Sequence, residues 1–556
     1  MGVAVRLAFL QIMRHEYYAG LAEDQRIFRQ PIEARRGGFF DRTGRPLCVS
    51  VPARSVFLAP AEISVDNVPV VSQALSHILN VDETELANSL LGPYDGRQFK
   101  WVKRRVSEYE AAAVDALKLK GVRLRTEYRR TFPQGLLASH VIGFVNVDEV
   151  GQEGLEKVLD NELTGTNGLE LLECDGTRKP LLTDRARFDP VVNGCDVQLT
   201  IDAEIQRIVE TELSQAMDDW DPVSVTGIVM EVKTGRILAL ANAPTFSPVR
   251  PANCEPGDRL NRAVSACYEP GSIFKPFVMA GFLDAHLGQL DDTIFCENGL
   301  FRIRGRRLHD HQPYGWLTVS EVIEKSSNVG MAKIGLQMGP GRLFGTISAF
   351  GFGESTHSGL PGELAGIVTP FKQWTVYTVT SVPMGQEIAA TPMQIITAFN
   401  AIANGGMLLR PQVIESIADA DGKVLRRFEG PAPVRRVVRS DTARRLIDQA
   451  LTGVVLRGTG RAANFGIYPK FGKTGTAQKV STAGGFAHSR FVSSFLCGAP
   501  VDDPRVAVLV LIDEPRRGSS YYGGTVAAPA AARIVEKTLK YLHEPVMGTV
   551  TRAADL

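Results

Sequence analysis

Apolar positions recur at helical spacing at the start of the chain, where Leu7, Leu10, Ile12, Tyr17 and Leu21 stand among polar neighbours. The pattern predicts a helix from Met1 to about Arg29. The segment from Arg36 to Gly44 reads as an extended piece closed by a turn, and Leu47–Val51 as a strand. Residues 60–120 read as mostly helical, with amphipathic runs at Val71–Leu79 and Glu110–Leu119. Short strands and Gly-rich turns are expected over residues 121–195.

Near Asn193-Gly194 the pattern changes. Asp196–Asp202 alternates as a strand, and Asp202 is placed to cap a helix that carries Ile208 to Leu213. Thr226–Val232 and Arg236–Ala241 are apolar strands joined by Lys233-Thr234-Gly235, a hairpin with glycine in its turn. Further strands at 489–497 and 505–512 enclose a long helical middle. The expected class is α+β, an antiparallel sheet flanked by helices. Gly430-Pro431-Ala432-Pro433 is linker-like but too short to divide domains.

Length adds one constraint: 556 residues exceed what one core holds, so at least two domains are expected. Sixty-two basic residues against sixty-one acidic ones leave a formal charge of +1, which gives no basis for a nucleic-acid partner. Arg129-Arg130 and Arg516-Arg517 read as solvated surface. The seven cysteines form no C-x-x-C pair, against a disulfide framework or a common zinc site. His309-Asp310-His311 has no third ligand group nearby, and Asp513-Glu514 before Pro515 reads as a solvated turn. No metal or cofactor is expected. Val3–Met13 is apolar but interrupted by Arg6, well short of the ~20 residues that span a bilayer, and no signal-peptide pattern is present.

Three polar clusters interrupt this picture. In Glu269-Pro270-Gly271-Ser272-Ile273-Phe274-Lys275, a helix starting near Ser272 puts Lys275 on the same face as the serine hydroxyl. A serine needs a neighbour to remove its proton, and a lysine does so only when burial or nearby cations keep it neutral. Lys325-Ser326-Ser327-Asn328 lies between two helical runs. Lys473-Thr474-Gly475-Thr476 reads as a strand with both threonines on one face and no side chain at Gly475, where another backbone comes close. The phosphate-loop pattern fails there because Ile467 occupies its first glycine position. Taken singly, each cluster also fits a cap or a turn.

In this order they are S-x-x-K, S-x-N and K-T-G, and the chain resembles the class B penicillin-binding proteins over nearly its whole length. Arg36-Gly37 with Asp41-Arg42, Arg130-Thr131-Phe132-Pro133, Gly154-Leu155-Glu156, Asn261-Arg262-Ala263-Val264 and Tyr521-Tyr522-Gly523-Gly524 extend the likeness. The resemblance implies a juxtamembrane helix at 1–30 and an elongated, β-rich pedestal or dimerisation-type domain at 31–195. A β-lactamase-like transpeptidase domain at 196–545 and a tail at 546–556 would follow.

It further implies a peptidoglycan D,D-transpeptidase. Ser272 would attack the penultimate D-alanine carbonyl with neutral Lys275 as base, and Ser326 and Lys473 would return a proton to the leaving D-alanine. Asn328 would hold the substrate amide, Thr474, Gly475 and Thr476 the strand that binds the terminal carboxylate. The backbone N–H groups of Ser272 and Thr476 would form the oxyanion hole. Partners would be stem peptides, β-lactam antibiotics and other division proteins. A separate membrane glycosyltransferase is expected as well, since Ile27, Gln30 and Ile32 break the one start of a glycosyltransferase motif at Glu23-Asp24. The catalytic domain would face the periplasmic side of the cell membrane, with an anchor encoded upstream of Met1 or lacking. Lys473–Lys479 and the Tyr521–Pro529 segment look more septal than elongation-type. A β-lactamase or carboxypeptidase shares the three motifs, and a catalytically silent scaffold is the alternative of another class.

Overall fold

The structure is a computed structural model describing residues 2–18, 20, 27–91, 100–173, 187–428, 430–480, 486–518 and 520–545. The C-terminal region is organised by five antiparallel strands: β1 (Ser224–Glu231), β2 (Ile237–Ala243), β3 (Phe471–Val480), β4 (Phe486–Ala499) and β5 (Val506–Asp513). Their order is β2-β1-β5-β4-β3, which leaves β3 at an edge. β1 and β5 are buried at nearly every position, because helices cover both faces of the sheet. On one face lie α1 (Ala203–Trp220) and α5 (Ala528–Tyr541), whose Val209, Leu213, Ile534 and Val535 pack on Val229, Val508 and Val510. On the other lie α2 (Lys275–Asp284), α3 (Asn328–Ala349) and α4 (Pro392–Ala403). All twelve residues of α4 are buried, so it is the axis of the larger core.

Asp202 caps α1 as its position predicts, accepting from Glu204 N at 3.0 Å and Ile205 N at 3.4 Å. The N-terminal region grips the same helix start: Asp41 Oδ2 accepts from Ala203 N at 3.2 Å, and Arg42 Nε pairs with Asp202 at 3.0 Å.

A second sheet joins the two regions. Asp196–Leu199 pairs in parallel with Phe39–Phe40 and antiparallel with Ile414–Ala418, and the sheet continues to Val424–Arg427 on one side. On the other side it continues through Pro46–Leu58, which pairs with both Lys100–Val106 and Val122–Thr131. Helices Val68–Leu79, Glu83–Leu91 and Glu108–Ala116 bury Val71, Leu75, Leu86 and Val114 against that end.

Three expectations are corrected. The helical pattern does not reach Arg29, because Ile27–Ile32 is a strand paired with Gly168–Glu173. Lys100–Val106 is a strand inside the stretch read as helical, fixed by pairing Phe57 with Trp101 and Arg54 with Val106. Arg130 is buried, not solvated: its Nε donates to Glu156 Oε1 at 2.8 Å, and Arg36 Nε donates to Glu156 Oε2 at 2.8 Å. Long-range partners decide all three, and local pattern carries no signal for them. Residues 546–556 and Cys174 lie outside the described residues; the other six cysteines are free thiols. Among the described residues no helix is long and apolar enough to cross a membrane.

Candidate active site

Ser272 sits in a short 3-10 turn, Gly271–Phe274, that leads directly into α2. Gly271 allows the turn with φ +57°, and its N–H donates to Gly385 O at 3.0 Å. Pro276 stands in the first turn of α2, where its missing N–H removes no helical bond. Ser272 is half-buried at the wall of a cleft of about 400 Å³. Among the described residues its hydroxyl has no hydrogen-bond partner, which leaves it free towards the cleft.

One turn on, Lys275 is fully buried. Its Nζ donates to Ser326 O at 2.6 Å, Ser326 Oγ at 3.2 Å and Asn328 Oδ1 at 2.9 Å. Burial pushes its pKa down to about 7, against a smaller opposing pull from Asp310. Lys473, equally buried, donates to Ser326 Oγ at 2.9 Å and Thr474 O at 3.0 Å. Its pKa is held well below the usual lysine range by burial and then by the charge of Lys275. The arrangement brings two basic groups of lowered affinity for protons onto one hydroxyl, a pathway along which a proton can pass.

Ser326 is held in the left-handed region, φ +60°, between Val319–Glu324 and α3. Such a conformation costs a non-glycine residue roughly 1 kcal/mol and persists where surroundings fix it. Here Asp310 does so. Its carboxylate accepts from Ser327 Oγ at 2.7 Å, from Val329 N at 3.1 Å and from Asn328 N. Asn328 Oδ1 faces Lys275 and its Nδ2 donates to His309 O at 3.0 Å, so one amide hydrogen remains for the cleft.

Along β3, Thr474 and Thr476 line the cleft while Lys473 and Gly475 turn towards the helices, as strand alternation predicts. Thr474 Oγ1 bonds Thr459 Oγ1 at 2.6 Å, and Thr476 Oγ1 accepts from Gly523 N at 3.1 Å, which leaves the Thr476 O–H free to donate. A Cβ on Gly475 would lie 2.3 Å from Ser494 Oγ, 2.8 Å from Ile273 Cγ2 and 3.3 Å from Pro270 O. The missing side chain is therefore what lets β3 lie against the serine turn.

Every residue singled out in the three clusters thus meets at one place, except that Gly475 acts through packing. Matching of the whole chain identifies its kind. The family model described as the penicillin binding protein transpeptidase domain covers residues 225–536, and that of the penicillin-binding protein dimerisation domain covers residues 31–199. The chain belongs to the class B penicillin-binding proteins.

This penicillin-binding protein is 32% identical over 543 residues to stage V sporulation protein D of Bacillus subtilis, spanning 97% of the chain and 83% of that relative. It is 30% identical to the peptidoglycan D,D-transpeptidase FtsI of Escherichia coli, over 97% of the chain and 89% of FtsI. Among solved structures, penicillin binding protein 3 of Mycobacterium tuberculosis, complexed with aztreonam, superposes with a TM-score of 0.72 at 28% identity, covering 93% and 98% of the two chains.

Sequence reasoning missed several walls of the cleft. Thr459 and His311 line it, the first signalled only by its Gly458 and Gly460 neighbours. Asp310, part of the weak metal pattern, is the carboxylate that holds the S-x-N turn at the cleft. Asp513 and Glu514 are also more than a solvated turn. Lys479 Nζ bonds Asp513 Oδ1 at 3.0 Å and Glu514 Oε1 at 2.7 Å.

Proposed function

We propose that this chain is a serine D,D-transpeptidase that cross-links peptidoglycan stem peptides through a Ser272 acyl-enzyme and is acylated by β-lactams at the same hydroxyl. The observation that carries the reading is the shared contact of two buried, proton-poor lysines, Lys275 and Lys473, with Ser326 Oγ beside Ser272. Neutral Lys275 takes the Ser272 proton as Oγ bonds to the penultimate D-alanine carbonyl carbon. The resulting oxyanion faces the main-chain N–H groups of Ser272 and Thr476, where one donor is worth roughly 10²–10³ in rate. The C–N bond to the terminal D-alanine then breaks, its nitrogen receiving a proton through Ser326 and Lys473. An amine of a second stem peptide attacks the ester carbon, gives up its proton along the same route and restores Ser272. Asn328 Nδ2 donates to the substrate amide carbonyl, and Thr474 and Thr476 bind the terminal carboxylate.

We assign residues 31–195 to the pedestal, 196–545 to catalysis and 546–556 to a tail, and we place the catalytic domain outside the cytoplasmic membrane, working with a separate glycosyltransferase. The Lys473–Lys479 and Tyr521–Pro529 segments support septal rather than elongation work. Depletion is expected to produce filaments, and rounded cells instead would favour elongation.

The deciding test is a denaturing gel of wild type and Ser272→Ala after incubation with a fluorescent penicillin. A stable label on the wild type alone is the expected result. An unlabelled wild type with intact antibiotic would mean a silent scaffold, and destroyed antibiotic would mean a hydrolase.

A further inference from the structure

The rim of the cleft continues outward as a two-stranded hairpin, Leu300–Ile303 paired with Arg306–His309. Its base belongs to the site: His309 O accepts from Asn328 Nδ2 at 3.0 Å, and His311 lines the cleft. Its inner face is settled by Phe301 and Leu308, a cross-strand pair packed on the larger core. Strand alternation therefore turns Arg302 and Arg307, directly opposite each other, to the outer face, and both are exposed. Arg304, at the tip, is exposed as well; it stands in the left-handed region, φ +45°, a turn position that favours asparagine or glycine.

Like charges opposite each other across a hairpin repel. Nothing in the protein relieves them: among the described residues Arg302, Arg304 and Arg307 have no carboxylate within 4.0 Å, and their side chains make no hydrogen bond. Arg306, between them, is taken up in holding the hairpin. Its guanidinium donates to Tyr377 O at 3.4 Å and to Ser381 Oγ, and Tyr377 Oη donates to Arg304 O at 2.8 Å. The three free cations thus stand on a support tied to the helix Val376–Ser381. The chain as a whole carries a formal charge of only +1, so the cluster is a local feature. It begins at the cleft, since Arg307 lies two residues, roughly 7 Å, from His309.

We propose that the outer face of this hairpin is a docking track for the peptidoglycan strand, receiving on Arg302, Arg304 and Arg307 the carboxylates of stem peptides next to the one in the cleft. The inference rests on the transpeptidase reading above, which gives each uncross-linked stem peptide a terminal carboxylate and so makes their polymer polyanionic. Charge complementarity and continuity with the cleft select this occupant. Guanidinium groups match carboxylates geometrically, and contacts that are weak singly add along a polymer. A single stem peptide occupies the cleft and leaves the track empty.

The test is sedimentation of the intact protein with purified insoluble peptidoglycan after Ser272 has been blocked with penicillin, so that the cleft takes no part. Acylated wild type is expected to sediment with the polymer and to be released as salt rises. Arg302→Glu, Arg304→Glu and Arg307→Glu together should weaken that binding roughly ten- to hundred-fold, the combined effect of three exposed charge contacts. The rate of penicillin labelling should stay as in the wild type. Should the triple variant fail to fold, amidating the peptidoglycan carboxyl groups tests the same contact from the other side and is expected to abolish wild-type binding. Equal sedimentation of the wild type and a triple variant that still labels would overturn the track, as would binding that survives amidation. Capture by phosphatidylglycerol vesicles in place of peptidoglycan would overturn it too, and make the hairpin a membrane contact. A wild type that penicillin does not label would instead bring down the transpeptidase reading itself.

Discussion

Lys275 Nζ and Lys473 Nζ donate to the same oxygen, Ser326 Oγ, at 3.2 and 2.9 Å. Two ammonium groups that close repel each other, and both are cut off from water. The hydroxyl between them accepts from one lysine and can donate to the other once that lysine is neutral. The pair therefore titrates as a unit with its serine.

A pH profile follows from this contact. Burial lowers Lys275 to about 7, and only its neutral form accepts the Ser272 proton. The second-order rate of penicillin acylation should rise roughly tenfold per pH unit below 7 and level off above it. Rapid-mixing measurements from pH 5 to 9 check this, and a rate that falls as pH rises through 7 would contradict the base assignment.

Asp310→Asn should act on the same profile. The carboxylate stabilises charged Lys275 and also receives Ser327 Oγ, Asn328 N and Val329 N. Without its charge the Lys275 midpoint should move to lower pH, while the plateau rate falls because the S-x-N turn loosens. Loss of the helix-capping role should also lower stability by about 1 kcal/mol. Acylation profiles and urea unfolding of the variant separate the two effects.

Gly475→Ala places a Cβ 2.3 Å from Ser494 Oγ and 2.8 Å from Ile273 Cγ2. Relief requires β3 to move away from the serine turn, at about 1–3 kcal/mol. Acylation by penicillin is expected to drop at least about tenfold, since misplaced reacting groups lose rate steeply. Gly475→Val should be worse than Ala, and equal rates in all three proteins would show that the close approach is unimportant.

In the N-terminal region, Glu156→Ala leaves Arg36 and Arg130 buried without their shared carboxylate. Breaking such a pair from one side costs about 3–5 kcal/mol. Thermal unfolding should begin earlier by several degrees, whereas the protein that remains folded should acylate at the wild-type rate, because these residues lie outside the cleft. An unchanged melting curve would mean that the pair is not holding the region together.

How much of this was legible beforehand depends on how local the signal is. Asp202 capping α1, the hairpin of β1 and β2, and the alternation of Thr474 and Thr476 all follow from neighbours within a few positions, and each is observed. The strand at Lys100–Val106 and the burial of Arg130 were not legible, because their partners, Pro46–Leu58 and Glu156, are remote in sequence.

The sequence by itself determined the α+β class and the three clusters whose order identifies the family, since helix phase, strand phase and motif spacing are short-range properties. Only the tertiary structure decided that Lys275 and Lys473 share one hydroxyl, and that Asp310 fixes the Ser326 turn. Burial and charge pairing set these properties, and both depend on which distant segments the fold packs together.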